Sequence, residues 1–399
     1  MQAMNGSAGS IRRRGLIGCC LALALAASAL VVAPTAGAAV THETKTYLAL
    51  GDSLAFGYTA VKHTENAPND SPAYFEEGYA DFFAKKARMN KEVDNKGLVL
   101  VNDGCPGETT DSFEGEGVNI GLGTNCNYQA LYATFGPGTA GGPLHNPYPG
   151  KSQKANMLLN LKGGAPAHPI AAVTLNIGAN DELAGVSKCK AEVKKEYEET
   201  YIEKGPEGAV AKQPKGGEEV EYHLTPTEVE GAIGSCVGFV AVTQTFPHIQ
   251  ARLKQILNEI YETGKYTGKV GVLGNYNPFT FILSGSDALQ KLLNERLAET
   301  INKEGESYSG KVVLANPFVA FNGEFEGAKS EKAKICKYTE MCNPAAQAET
   351  AAAAAATQKK EEEAGKFIFF PHNPEEGDIH PTKLGAEKLG KILYEALPI

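Results

Sequence analysis

The sequence predicts a doubly wound α/β domain built on a five-stranded parallel sheet. Five short, β-branched apolar runs and the helical patterns between and after them carry this reading. The runs are also nearly continuous rather than alternating, as expected for parallel strands covered on both faces.

The predicted strands are Tyr47–Leu50, Leu98–Val101, Ala171–Ile177, Lys269–Leu273 and Val312–Ala315. Tyr74–Ala87 reads as a helix, with Phe75, Tyr79, Phe82 and Phe83 on its apolar side. Pro226–Glu230 opens another behind Thr225. Ile249, Leu253, Ile256, Leu257 and Ile260 then mark a second apolar face after Pro247. Ala288–Ile301 and Lys383–Leu397 complete the set.

Three stretches fall outside this pattern. Residues 119–150 are rich in Gly, Pro, Asn and Tyr and read as a long surface loop. Residues 190–221 are dense in Lys and Glu, and residues 345–365 join a six-alanine run to Lys359-Lys360-Glu361-Glu362-Glu363. The first is expected to be a solvated insertion, and the second an exposed insertion without chemistry.

Arg12, Arg13 and Arg14 precede the apolar stretch Leu16–Val32 and the small-residue site Ala36-Gly37-Ala38. Residues 1–38 therefore read as a secretory signal peptide, leaving 39–399 as one domain, expected to be exported and monomeric. No later segment reads as membrane-spanning. Without the leader the net charge changes from −9 to −12, with 35 basic against 47 acidic residues. Such a balance argues against nucleic acid as a partner.

Cys19 and Cys20 leave with the leader, and six of the eight cysteines remain. An even number in an oxidising compartment suggests disulfides, and six cysteines allow 15 pairings. Closing each loop locally gives Cys105–Cys126, Cys189–Cys236 and Cys336–Cys342. A metal site is the weaker reading, because no Cys-x-x-Cys or nearby ligand-spaced His is present.

Candidate chemistry lies where strands end. Tyr47–Leu50 runs into Gly51-Asp52-Ser53-Leu54, which displays a hydroxyl at a strand's carboxyl end. The plainer reading is a strand-to-helix turn capped by Asp52 and Ser53. No Gly-x-Ser-x-Gly elbow occurs, which excludes the common α/β-hydrolase layout. After the second strand, Gly107 is either a backbone donor or a turn glycine. After the third, Asn180 in Gly178-Ala179-Asn180-Asp181 is either a neutral oxyanion donor or a helix cap. Of eight histidines, His380 stands out, because Pro381 fixes the following turn and a helix anchors it.

In order, these four blocks resemble the SGNH (GDSL-type) hydrolases over Tyr47–Leu397. The six mature cysteines and the leader look like the secreted actinobacterial esterase branch, whose members carry three disulfides. The resemblance implies a flavodoxin-like sheet in strand order 2-1-3-4-5, with long loop and helical insertions. It implies Ser53 as nucleophile and His380 as base, with an oxyanion hole from the Ser53 N–H, the Gly107 N–H and the Asn180 side chain. Asn275-Tyr276-Asn277-Pro278-Phe279 is similar to a cleft-lining stretch of that branch.

One position departs from the family pattern. An Asp is usual three residues before the histidine, where this chain has Gly377. The expectation is therefore a Ser53–His380 dyad oriented by the Gly377 carbonyl, with Asp378 as the alternative. The implied activity is hydrolysis of a small-molecule or lipid carboxylic ester without metal or cofactor. A carbohydrate deacetylase is the alternative, weakened by the absence of Trp. A secreted binding protein that keeps the fold without activity is a third reading.

Overall fold

The computed structural model describes residues 43–66, 71–116, 144–148, 151–163, 168–203, 209–211, 226–280, 283, 285–323, 328–363 and 377–399. The leader 1–38, Cys126 with its pairing to Cys105, and most of 119–150 lie outside these residues.

Five strands form the parallel sheet: β1 (Lys45–Gly51), β2 (Leu98–Asn102), β3 (Ile170–Asn176), β4 (Val270–Leu273) and β5 (Val312–Ala315). Their order is β2-β1-β3-β4-β5, with every pair parallel. The predicted strands match to within two residues at either end, and the order is the expected 2-1-3-4-5.

The continuous apolar runs follow from burial on both faces. Leu48 and Leu50 point into one core with Val173, Leu175 and Val272, under the helix Phe246–Asn258. Tyr47 and Ala49 point into the other with Ala172 and Leu273, under the helices Tyr79–Met89 and Lys383–Ala396. Successive strand residues face opposite sides, so a strand covered twice has no position left for a polar residue facing solvent. The apolar side chains removed from water each contribute about 1.5–3 kcal/mol, offset by the entropy of ordering the chain.

The insertions differ from expectation. Helix Ala179–Thr200 continues straight from the third strand's turn into the region read as solvated, and Val193 is buried against Ile233, Val237 and Val240. A small antiparallel pair, Tyr201–Glu203 with Ala209–Ala211, follows. Residues Pro344–Glu363 form a helix, as alanine-rich composition favours. It is not wholly detached, because Ala346 is buried and Thr64 donates a hydrogen bond to Glu349.

Gly231–Thr263 is one helical run of 33 residues, long and apolar enough to cross a membrane by length and composition alone. That corrects the expectation of no such segment. Two π-helical turns, Ala241–Thr245 and Glu259–Thr263, belong to the run, and Ile249, Leu253, Ile256 and Ile260 spend its apolar face on the sheet.

Two of the expected disulfides are formed. Cys189–Cys236 joins helices Ala179–Thr200 and Pro226–Val240, with Cα atoms 5.7 Å apart. Cys336–Cys342 closes a short ring, with Cα atoms 4.9 Å apart.

Candidate active site

β1 delivers Ser53 to the carboxyl edge of the sheet. Asp52 caps the short helix Ser53–Phe56, accepting from the Leu54 N–H at 2.9 Å. The plain cap reading of Asp52 is therefore correct and does not compete with a role for Ser53. As the first helical residue, Ser53 has a backbone N–H that no helical carbonyl can accept. That N–H meets no acceptor among the described residues. Burial pushes the Asp52 carboxyl up to about 6, against the hydrogen bond from the Leu54 N–H that favours its charged form.

The turn is held from below by Gln153, which is fully buried. Its Oε1 accepts from the Gly51 N–H at 2.6 Å, and its Nε2 donates to the Gly51 carbonyl at 2.9 Å and to Glu108 at 3.1 Å. No sequence signal marked Gln153, since its partners Gly51 and Glu108 lie 102 and 45 residues away.

The loop after β2 packs onto this turn. The Cys105 N–H donates to the Gly51 carbonyl at 2.9 Å. Gly107 has φ +80°, a left-handed conformation that glycine adopts without the usual steric cost. Its N–H likewise has no acceptor among the described residues. The next residue, Glu108, accepts from the Asn180 side-chain amide through its backbone carbonyl at 2.9 Å. That contact ties the β3 turn to the β2 loop. Asp181 reinforces it, accepting from the Thr110 N–H at 3.0 Å and the Thr110 hydroxyl at 2.6 Å. Burial pushes the Glu108 carboxyl up to about 8, so near neutrality it is largely uncharged beneath the loop.

The candidate base, His380, arrives from the far end of the chain. His380 Nδ1 lies 2.5 Å from Asp378 Oδ1, which also accepts from the His380 backbone N–H at 3.1 Å. The expected Gly377 carbonyl is not the partner of the ring; the carboxylate of Asp378 is. Asp378 Oδ1 takes the Nδ1 side of the ring, so no place is left there for the Gly377 carbonyl. A Cβ at Gly377 would sit 2.3 Å from the Met341 carbonyl oxygen, so the position where the family resemblance puts the acid has no room for a side chain.

Asp378 Oδ2 accepts from the Ala60 N–H at 2.7 Å, which links the base loop directly to the chain just after Ser53. Tyr58 stands edge-on to the His380 ring, with centroids 4.9 Å apart. Burial alone would raise the Asp378 carboxyl, but the His380 charge and hydrogen bonds hold it below the usual carboxylate range. Burial alone would lower His380, but the Asp378 charge and hydrogen bond hold the imidazole above its ordinary value.

Because an ionised carboxylate only accepts, Nδ1 carries the proton and Nε2 is left as the basic nitrogen. No hydrogen bond joins Ser53 Oγ to the ring in this conformation, among the described residues. The Ser53–His380 pairing therefore rests on the shared edge and on the Ala60–Asp378 link. Tyr276 buttresses the same loop by donating to the Ile379 carbonyl at 2.7 Å, while it stacks on Phe321. No group of three or more His, Cys, Asp or Glu suited to a metal ion occurs among the described residues.

No protein-family model matches the chain, and no curated protein matches it. Solved structures similar to it include a catalytic mutant of an acetylxylan esterase from Geobacillus stearothermophilus, 12% identical with a TM-score of 0.39. That match covers 90% of this chain and 96% of the other. A protein named as a GDSL-like lipase from Parabacteroides merdae is 11% identical with a TM-score of 0.35, covering 89% and 95%. An α/β hydrolase from a Lake Arreo metagenome is 12% identical with a TM-score of 0.34, covering 89% and 96%. Likenesses this distant carry no argument about chemistry, which rests on the geometry of the chain's own residues.

Proposed function

We propose that this protein is an exported carboxylic ester hydrolase of the SGNH type. The observation that carries the reading is the Asp378–His380 pair, anchored through Ala60 to the turn that presents Ser53. An imidazole whose Nδ1–H is held by a buried carboxylate has its tautomer fixed, and its other nitrogen is free to accept a proton.

In the proposed reaction His380 Nε2 takes the Ser53 proton as Oγ attacks the ester carbonyl. The contact between them forms as substrate binds, since such hydrogen bonds are often long in unliganded enzymes. The negative charge that develops on the carbonyl oxygen is met by the Ser53 N–H, the Gly107 N–H and the second amide proton of Asn180. The first two have no other acceptor among the described residues, and the first amide proton of Asn180 is held by Glu108. His380 then protonates the leaving alcohol, and water repeats the cycle on the acyl-enzyme. The two formed disulfides support an oxidising destination, in keeping with the leader read at residues 1–38.

The test is turnover of p-nitrophenyl acetate, butanoate and octanoate by the wild type and by Ser53→Ala. The wild type should hydrolyse at least one, and Ser53→Ala should lose about three orders of magnitude or more. Equal rates for the two proteins would end the esterase reading.

A further inference from the structure

Gln153, Asn156 and Asn160 recur at helical spacing on the helix Gln153–Leu161 and share one of its faces. All three are buried, Gln153 completely. A buried helix face is ordinarily apolar, because a carboxamide taken from water must find partners for its donors and its acceptor. Here they find them on the loop that leaves β2.

The three amides bracket Gly107. Before it, Asn156 and Asn160 donate to Asp103 Oδ2 at 2.8 and 3.1 Å. After it, Gln153 Nε2 donates to Glu108 Oε2 at 3.1 Å, and the Glu108 backbone carbonyl holds the Asn180 amide. The Tyr148 hydroxyl also lies 3.4 Å from Nε2. Burial keeps Glu108 largely uncharged near neutrality, so the contact brings little charge beneath the loop.

Of the three, Gln153 also reaches the turn that carries Ser53. The β1–β2 register ends at Ala49 and Asn102, so Gly51 emerges past the ladder. The Gln153 amide stands there in place of a neighbouring strand, accepting from the Gly51 N–H and donating to the Gly51 carbonyl. The Cys105 N–H joins the same two segments before Gly107, and Gln153 joins them after it. Gly107 is thus fixed from both ends relative to Ser53.

We propose, resting on the esterase reading, that Gln153 is a positioning residue whose carboxamide sets the spacing between the Ser53 N–H and the Gly107 N–H, the two backbone arms of the oxyanion hole. It touches no substrate and acts through those donors. A misplacement of about 1 Å can cost about a hundredfold in turnover. Because the oxyanion exists only as the reaction proceeds, displaced donors weaken the transition state and spare the bound ester.

The experiment measures kcat and KM of the wild type, Gln153→Met and Gln153→Glu on the p-nitrophenyl ester that the wild type turns over fastest, below the melting temperature of each. It also measures Ki for trifluoromethyl propyl ketone. Ser53 Oγ adds to the ketone carbon, its proton passes to His380, and the resulting oxyanion occupies the same hole. Gln153→Met is close in size but lacks donor and acceptor. It should lose about a hundredfold in kcat, keep KM within about threefold and raise Ki by about a hundredfold. Gln153→Glu is isosteric and, once ionised, accepts but cannot donate. It should lose at least about tenfold in kcat with the same split, and it is read alone if Gln153→Met does not fold.

Three results overturn the proposal. One is a kcat within about threefold of the wild type in a folded variant. Another is a lowered kcat with Ki unchanged, which would place the loss away from the oxyanion. The third is a raised KM with kcat unchanged, the mark of lost ester binding. Failure of the esterase reading is separately visible, since Ser53→Ala would then turn over the ester as the wild type does and the ketone would not inhibit.

Discussion

At the scale of single residues, Asp378 is where the chain departs most from its family resemblance. Replacing it with Asn keeps the shape but removes the charge that fixes the imidazole tautomer. Turnover of Asp378→Asn should therefore fall by about four orders of magnitude. The pH profile gives a second readout. His380 must be neutral to act as base, so kcat/KM should rise with pH through a midpoint above the ordinary histidine value. In Asp378→Asn that midpoint should shift to lower pH, because the charge holding the imidazole up is gone. An unchanged rate and profile would show that Asp378 does not orient the base. The strand-end placement of Ser53, Gly107 and Asn180, and of His380 on the turn before the last helix, was legible in the sequence because each position is set locally. The choice between Gly377 and Asp378 was not, because it depends on the loop conformation that turns the Asp378 carboxylate onto both the His380 ring and the Ala60 N–H, 318 residues earlier. Gln153 and Glu108 were illegible for the same reason, with partners dispersed over three loops.

Among elements, the strands were the most readable feature, since burial on both faces leaves its mark on every residue of a run. The insertions were the least. Lys- and Glu-rich composition at 190–221 masks single apolar residues such as Val193, which the neighbouring helix Pro226–Val240 covers. Cys189–Cys236 fixes that helix pair across a separation of 47 residues, whereas Cys336–Cys342 spans 6. Loop-closure entropy makes the longer bond worth about 4 kcal/mol and the shorter about 2. Urea unfolding of the Cys189→Ser/Cys236→Ser and Cys336→Ser/Cys342→Ser variants should show the larger loss for the first pair. The reverse order would mean that strain or residual unfolded-state structure dominates.

For the molecule as a whole, buried carboxyls set the pH dependence of stability. Burial pushes Asp52 and Asp103 up to about 6, Asp81 to about 7 and Glu108 to about 8. Asp103 is fully buried and accepts from the side-chain amides of Asn146, Asn156 and Asn160, which bring no charge. In the unfolded chain these acids ionise near 4, so between about 4 and 8 the folded state holds more protons. Stability should fall as pH rises through that window. His380, held above its ordinary value, loses its contribution in the same direction, while the depressed Asp378 opposes it only in acid. Thermal melts should give a higher Tm at about pH 5 than at about pH 8.5. A higher Tm on the alkaline side would show that these acids are ionised in the folded state. The ring closed by Cys336–Cys342 has a wider bearing. Within it, Tyr338 accepts from the Thr382 N–H at 3.0 Å, and the Glu340 N–H donates to the His380 carbonyl at 2.9 Å. The strap that holds the imidazole is thus sewn down by a bond that a reducing cytoplasm does not sustain. On the proposed reading, a newly made chain would hold its candidate base on a looser tether until that bond forms, so hydrolysis would begin in earnest only after export.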